Sequence, residues 1–525
     1  MSKYYITTPI YYVNDKPHIG HTYTTVAADA LARFHRLLGD EVRLVTGTDE
    51  NSQKNVQAME KAGESSLTAY LDRMADAWKS TWSELGISLD DFIRTTEPRH
   101  LAGVERFWNA VKQSGDIYEG VYEGMYCTGC EAFKTESEIA GGYCELHPKL
   151  KLEHIKEKNF FFKLTAYREE LLTLYEEGNS FVMPESRRHE IRNYVADHLA
   201  DISISREAKK VPVGISVPGD EDQRIYVWFD ALLNYMTAVG YGTDEKMFKK
   251  FWPADLHLVG KDIIKFHCAL WPAMIMSAAK SDALLRHPDG SAKLPTQVFA
   301  NGFFTIDGQK ISKSSGNAID PREFESTVGF EAVRYFLLRE ISYGEDGDFS
   351  RERLMGRYES DLGNTLGNLV NRVIPMSKKY FDGKVPPYQP EKKKASDPLS
   401  GLELVGERVG TAYANSRCDQ ALEEIWKSLF IANKFIEDTK PFKLIKENPE
   451  DAAYVLYVSL EAIRWYAWFI HPVLPETSNK IFVQLGLNAE EELSKGWVQG
   501  LQWGGLTPGA PLGEPAPLFP RLEVE

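Results

Sequence analysis

Residues 3–49 read KYYITTPIYYVNDKPHIGHTYTTVAADALARFHRLLGDEVRLVTGTD. The opening KYYITTPI (3–10) is β-branched and aromatic, the composition of a short strand. From about His18 to Leu38 the apolar residues Ile19, Val26, Ala30, Phe34 and Leu37 fall near helical spacing. Gly39 and Asp40 stop that pattern, and EVRLVTGTDE reads as a second strand ending in a polar turn. Strand, helix and strand in this order predict a parallel α/β sheet. Such sheets bind ligands beyond the carboxyl ends of their strands, where both polar turns lie.

Further along, the texture changes from about 116 to 224. A Gly- and Cys-rich stretch, EGMYCTGCEAFKTESEIAGGYCELHP, leads into KNFFFKL and more helical sequence. The α/β texture is expected to resume with IYVWFDA and DLHLVGKDI, so an insertion splits one α/β domain. After Arg351 the chain reads as mainly helical, interrupted by a basic, Pro-containing link, GKVPPYQPEKKKASDP (383–398). Glycines and prolines crowd residues 504–520, which predicts an extended tail. At 525 residues, about three or four domains are expected.

Hydrophobic residues at 43% and charged residues at 26% exclude a largely disordered chain. Asp and Glu number 76 against 61 Lys and Arg, a formal net charge of -15. So acidic a chain does not coat nucleic acid non-specifically. No DNA partner is expected, and any RNA contact must come from local basic surface. The most apolar stretch, YVLYVSLEAIRWYAWFIHPVLP, contains Glu461, Arg464 and His471. These are costly in lipid, so a buried core helix is expected and no membrane contact. The N-terminus lacks a basic segment followed by an apolar one. Five cysteines are too few for a disulfide framework, and a cytoplasmic protein is expected.

Three motifs carry chemistry. Pro17-His18-Ile19-Gly20-His21 opens the first helix. Histidines three apart can point to one side of a helix N-terminus, whose N–H groups and dipole favour phosphate. Gly20 removes a side chain where a flat ligand such as adenine could lie on the backbone. Lys310-Ile311-Ser312-Lys313-Ser314, between Gly308 and Gly316, makes a cationic loop. Such a loop can close over a triphosphate and stabilise charge on the α-phosphate and the leaving pyrophosphate. Each motif alone has another reading, surface histidines for the first and a solvated basic turn, the commoner fate of such a string, for the second. Finally, Cys127-x2-Cys130-x13-Cys144-x2-His147 gathers three of the five cysteines. Four soft or borderline ligands at that spacing fit one closed, structural tetrahedral Zn2+ better than scattered buried thiols.

The histidine and lysine motifs, in this order and about 290 residues apart, resemble the HIGH and KMSKS signatures of class I aminoacyl-tRNA synthetases. Ile311 replaces the usual methionine, a volume-conserving swap. PIYYVNDKPHIGH, TGTDE, YVWFDALLNY and VGKDIIKFHCALWPAM look like methionyl-tRNA synthetase, and the similarity runs through most of the chain to LFPRLE. The resemblance implies an α/β, Rossmann-type parallel-sheet catalytic domain (1–115 and 225–295) split by a zinc-knuckle insertion (116–224). A KMSKS loop and stem-contact region (296–350), an α-helical anticodon-binding domain (351–500) and an extended tail (501–525) would follow.

It also implies a reaction. Methionine and ATP, with Mg2+, would give methionyl-adenylate and pyrophosphate, and the methionyl group would pass to tRNA(Met), initiator tRNA included. Around methionine the resemblance places Pro9, Ile10, Tyr12, Asp49, Trp228, Ala231, Leu232, Tyr235, His267 and Trp271. Asp49 would pair the ammonium, aromatic rings would enclose the thioether, and His267 with Tyr235 would offer a polar end to the sulfur. For ATP it places His18, Gly20, His21, Gly260, Asp262, Lys310, Ser312 and Lys313, with His18, His21, Lys310 and Lys313 as catalytic groups. Asn368 and Arg372, four apart on a predicted helix, would read the anticodon together with Phe442, which stands where the family usually has tryptophan. Residues 351–380 carry six Lys/Arg against three acids, a net +3 that suits RNA. One departure is plain: the family commonly has His-Gly after the acidic turn, whereas Asn51 and Ser52 follow Glu50 here. The contribution of those two positions is left open.

Three other readings compete. A cysteinyl enzyme would keep zinc in its pocket, whereas this cysteine cluster lies in the insertion. A nucleotidylyltransferase using HxGH is usually much shorter, and would leave the helical third unexplained. An inactive RNA-binding module is disfavoured by the intact lysine loop. No further dimerising module follows the helical region, so a monomer is expected.

Overall fold

The computed structural model describes residues 2–128, 132–134, 139–144, 147–306, 308–311, 318–392 and 398–522. Six parallel strands form the central sheet: β1 (Lys3–Tyr12), β2 (Glu41–Asp49), β3 (Asp91–Arg94), β4 (Val182–Met183), β5 (Leu256–Gly260) and β6 (Val298–Asn301). Their order is β4-β6-β5-β1-β2-β3, with every neighbouring pair parallel. From β1 the chain steps outward to β2 and β3, then returns to the other side with β5 and β6. The order therefore reverses between β1 and β5, and a crevice opens at their carboxyl ends. Pairing of β1 with β2 shifts register between Thr7 and Ile10. Pro9 accounts for this, because a proline in a central strand has no N–H for the ladder. Such an irregularity re-aims neighbouring residues, here beside the crevice.

The helices that position the site are α1 (Ile19–Leu37), α2 (Pro98–Gln113), α3 (Val227–Ala231), α4 (Phe330–Arg339), α5 (Asn368–Tyr380), α6 (Cys418–Thr439) and α7 (Pro449–Ile470). α1 buries Ile19, Tyr23, Val26, Leu31 and Phe34. Its buried face also holds a carboxylate, Asp29, at 0% exposure. Asp29 pairs with Arg33 (2.8 Å) and with Arg334 of α4 (2.6 Å), and accepts the Ser88 N–H at 2.7 Å. Arg334 also donates to the Val473 carbonyl at 2.9 Å. One guanidinium thus ties the first helix of the catalytic sheet to the helical region.

Between β3 and β4 the chain builds an insertion around a long antiparallel pair, Ile117–Cys127 with Glu153–Phe162. The sequence predicts a return to α/β texture at IYVWFDA. The structure places Asp220–Ile225 in a small antiparallel sheet with Ser205–Glu207 and Ser216–Val217, and turns Val227–Ala231 into α3. A short aromatic and apolar run cannot by itself separate strand from helix. The parallel sheet resumes only at β5.

In α7 every residue from Ala452 to Ile470 is buried. Arg464 pairs with Glu461 at 2.6 Å and Glu492 at 3.0 Å. Glu461 in turn accepts the N–H groups of Gly504 and Gly505 at 3.0 Å and Leu506 at 3.1 Å. The charges that argue against a membrane span therefore clamp the start of the tail, which continues from Gly504 to residue 522 without a helix. No helix among the described residues is long and apolar enough to cross a membrane.

Candidate active site

The carboxyl ends of β1, β2 and β5 bring the predicted residues to one edge of the sheet. His18 caps α1: its Nδ1 accepts the Gly20 N–H at 3.1 Å, while its own N–H donates to His21 Nδ1 at 3.2 Å. Both Nδ1 atoms accept, so the ring protons sit on Nε2. The two rings stack at 3.7 Å, and His21 also packs against Tyr11 at 4.9 Å and Trp78 at 5.0 Å. A Cβ on Gly20 would lie 3.0 Å from the His18 ring, so glycine keeps this cap compact. The result is a helix N-terminus with two imidazoles held in place, suited to phosphate. α1 is also joined to the segment beyond the lysine loop, because the Ile19 N–H donates to the Ile319 carbonyl at 3.0 Å.

At the end of β5, a Cβ on Gly260 would fall 2.7 Å from Asp262 Oδ1. Glycine is required for the carboxylate to fold back over the strand end. Lys310 closes a short strand, Gln309–Lys310, paired antiparallel with Phe304–Ile306. Ile311 is buried in the main core, which explains why an apolar residue is needed there. Ser312 and Lys313 lie outside the described residues.

Tyr12 and Asp49 face each other in register at the ends of β1 and β2. Asp49 is nearly buried, and its backbone carbonyl is fixed by Asn55 Nδ2 at 2.9 Å. Lys54 lies over the Tyr12 ring at 4.1 Å. α3 supplies Trp228 and Ala231, and Leu232 follows. Trp228 stacks face to face on Phe266 at 3.9 Å, and its buried indole N–H finds no hydrogen-bond acceptor among the described residues.

His267 is the polar centre. Its Nδ1–H donates to the Ile263 carbonyl at 3.0 Å, and its Nε2 accepts the Tyr235 O–H at 2.7 Å. Burial lowers its pKa to about 4, opposed by the Ile263 hydrogen bond, so the ring is neutral near pH 7. Trp271 is 0% exposed and packs behind Tyr235 at 6.2 Å.

Two residues here escape sequence reasoning. His257 is fully buried and packs 4.3 Å from the Tyr235 ring; it accepts the Trp271 N–H at 3.4 Å and is bonded to Thr7 at 2.6 Å. Burial drives its pKa well below the ordinary value. Phe266 backs Trp228. Both belong to strings already singled out, DLHLVGKDI and VGKDIIKFH, but nothing local marks them.

In the helical region, Asn368 and Arg372 share one face of α5 and meet α6: Asn368 Nδ2 is 3.4 Å from Asn433 Oδ1, and Arg372 is 3.9 Å from Glu437. Phe442 is 42% exposed on the helix Pro441–Glu447 that follows α6. In the insertion, Cys127 and Cys144 are both 1% exposed and share a small cluster with Leu152. Two buried thiols in one small cluster suit a soft metal. Cys130 and the side chain of His147 lie outside the described residues.

The family described as tRNA synthetases class I (M) matches residues 4–154 and 143–374. The anticodon binding domain of methionyl tRNA ligase matches residues 409–525. A methionine–tRNA ligase of Thermotoga maritima is 44% identical over 100% of this chain and 81% of its own. That of Synechocystis sp. is 41% identical over 99% of this chain and 97% of its own. Among solved structures, the Mycobacterium tuberculosis methionyl-tRNA synthetase in complex with methionyl-adenylate superposes with a TM-score of 0.91 at 38% identity, covering 99% of this chain and 100% of that one. Matched along both its catalytic and its helical parts, the chain belongs to the methionyl-tRNA synthetase family of class I tRNA synthetases.

Proposed function

We propose that this protein activates methionine with ATP to methionyl-adenylate and transfers the methionyl group to tRNA(Met), releasing pyrophosphate and then AMP. The observation that carries the reading is the Tyr235–His267 pair beside Trp228, set at the same sheet edge as the His18–His21 helix cap. A neutral imidazole and a phenol inside an aromatic enclosure offer a thioether a polar contact without a charge to desolvate.

In this reading the Asp49 carboxylate holds the substrate ammonium. The methionine carboxylate attacks the α-phosphorus in line, and the bond to pyrophosphate breaks. No protein nucleophile takes part. His18 and His21 hold the phosphates at the α1 N-terminus, Gly260 and Asp262 the nucleoside, and Lys310 and Lys313 offset charge on the leaving group. Mg2+ carried with ATP would supply further neutralisation of the phosphate charge. In the second step a ribose hydroxyl of the tRNA attacks the methionyl carbonyl and AMP leaves. Asn368, Arg372 and Phe442 would meet the anticodon of initiator and elongator tRNA alike. The enzyme would work in the cytoplasm as a monomer.

Zinc is a structural element of the insertion in this reading, held by Cys127, Cys130, Cys144 and His147. Elemental analysis should find about one zinc per chain, and Cys144→Ser should release it. Fully folded, active, metal-free protein would contradict that assignment. The transfer step is tested by aminoacylation with a CAU-anticodon tRNA and an anticodon-substituted one. Preference for CAU is expected, and equal charging would overturn anticodon reading.

A further inference from the structure

We infer that Asn51, acting through Asp230, is a positioning residue that aligns the wall of the methionine pocket with the ammonium site; the inference rests on the assignment of that pocket above. Asn51 follows Asp49 and Glu50 at the end of β2. Glu50, 1% exposed, fastens this end to β3. It accepts from Thr48 Oγ1 at 2.8 Å, from Arg94 Nε at 2.7 Å and from the Thr96 hydroxyl. Asn51 extends the tie in the other direction. Its Nδ2 donates to the Thr95 carbonyl at 3.2 Å and to Asp230 Oδ2 at 2.7 Å. A group that faces both a carbonyl and a carboxylate must be the NH2 side of the amide. Ser52 caps the next helix, Gln53–Lys61, by accepting the Lys54 N–H at 3.1 Å. The pair that stands where the family usually has His-Gly therefore has definite structural work.

Asp230 is 0% exposed and lies in α3 between Trp228 and Ala231. Its other oxygen is 2.6 Å from His100 Nε2. His100, of α2, is also fully buried, with Nδ1 2.9 Å from Thr237 Oγ1. A carboxylate with no access to water depends on its donors, and these reach it from two separate elements, the turn after β2 and the helix α2. α3 has five residues, too few to hold a place by its own hydrogen bonds. Where Asn51 and His100 stand decides where α3 stands. Asp49 is two residues before Asn51, and Trp228 two residues before Asp230. The Asn51–Asp230 bond therefore sets the spacing between the group that holds the ammonium and the wall that holds the side chain.

The experiment is Asn51→Ala in ATP–pyrophosphate exchange, with methionine varied at saturating ATP and ATP varied at saturating methionine. Asn51 borders an open cleft of about 570 Å³ shared with Thr96, Glu105, Ser216 and Glu221. Truncation there removes the hydrogen bond without sealing a void. Misalignment of one wall is expected to raise the KM for methionine about tenfold and leave the KM for ATP within about twofold. Asn51→Asp keeps the shape but sets a second carboxylate against Asp230, and is expected to raise the methionine KM further. A methionine KM within about twofold of wild type in Asn51→Ala, even with a lowered Tm, would overturn the inference and leave Asn51 a merely structural residue. An equal rise in the KM for ATP would overturn it too. Trp228→Ala separates the two layers. If it leaves the methionine KM unchanged, the pocket assignment itself fails. If it raises that KM while Asn51→Ala does not, only the positioning role fails.

Discussion

Tyr235→Phe removes a single oxygen from the proposed methionine pocket. Tyr235 is 2% exposed, and its O–H is donated to His267 Nε2 at 2.7 Å. The other His267 nitrogen is committed to the Ile263 carbonyl at 3.0 Å. Without the hydroxyl, Nε2 becomes a buried acceptor with no donor, because the phenyl ring still fills the space. The imidazole cannot escape by taking up a proton near neutrality. Burial holds its pKa at about 4 against an ordinary 6.5, so charging it inside the fold costs about 3 kcal/mol more than in water. An orphaned buried acceptor costs about 1–3 kcal/mol, which the free protein already bears as lost stability.

The phenol is also the polar group that the proposed pocket offers to the sulfur, and losing such a contact is worth about 1–3 kcal/mol, or about 5- to 150-fold. In ATP–pyrophosphate exchange, kcat/KM for methionine is expected to drop by about 5- to 150-fold while the KM for ATP stays within about twofold. The loss should be the same at pH 6.5 and pH 8, because His267 is neutral at both. For stability the sign is opposite to that of a salt-bridged histidine. The unfolded chain binds this proton first, so the His267 contribution is complete above about pH 6.5 and is lost as pH falls toward about 4. A methionine-specific loss below about twofold, or an equal change for ATP, would refute the reasoning.

Arg334→Met leaves Asp29 buried with Arg33 and Ser88 as its remaining partners, and should destabilise the protein by about 3–5 kcal/mol in denaturant titration. Adding Asp29→Leu should recover much of that loss, and a double variant as unstable as the sum would argue against the pair. The same pair predicts an acid dependence. Burial raises the Asp29 pKa, but Arg334 and Arg33 outweigh it and hold the carboxyl far below its usual range. Its stabilisation is therefore present above about pH 4 and fades only at lower pH. Lys313→Ala should lower kcat for adenylate formation by about 10²–10³-fold with methionine binding little changed, and near-normal exchange would remove the lysine from the transition state. Phe442→Ala should cost about 1–3 kcal/mol in aminoacylation efficiency while leaving tRNA-independent exchange intact. A parallel loss in exchange would mean that the phenylalanine acts through the fold instead.

The parallel sheet is legible because its signals are local. KYYITTPI, the helix from His18 and EVRLVTGTD each declare themselves within about twenty residues or fewer, and their order dictates the topology. The His18–His21 cap is legible for the same reason. The supports of the site are not. His100 reaches Asp230 across 130 residues of chain, Asn51 reaches Asp230 across 179, and Thr7 reaches His257 across 250. Nothing near any of them in sequence announces a partner. Asp29 is an intermediate case. A carboxylate among Val26, Ala30 and Leu31 on the buried face of an amphipathic helix calls for a buried cation, yet only the fold identifies Arg334. The IYVWFDA segment is legible only as texture: a short apolar run fits a strand as well as a helix until its neighbours are known.

Amino-acid-dependent ATP–pyrophosphate exchange against a panel of amino acids tests most directly whether the crevice is built for methionine. Methionine should drive exchange most efficiently. Homocysteine, one methyl group shorter, should be activated measurably but less efficiently, by about 1–3 kcal/mol. Cysteine and leucine should give no exchange at comparable concentrations. Exchange driven by cysteine or another amino acid, with methionine inactive, would contradict the assignment of the pocket around Tyr235, His267 and Trp228.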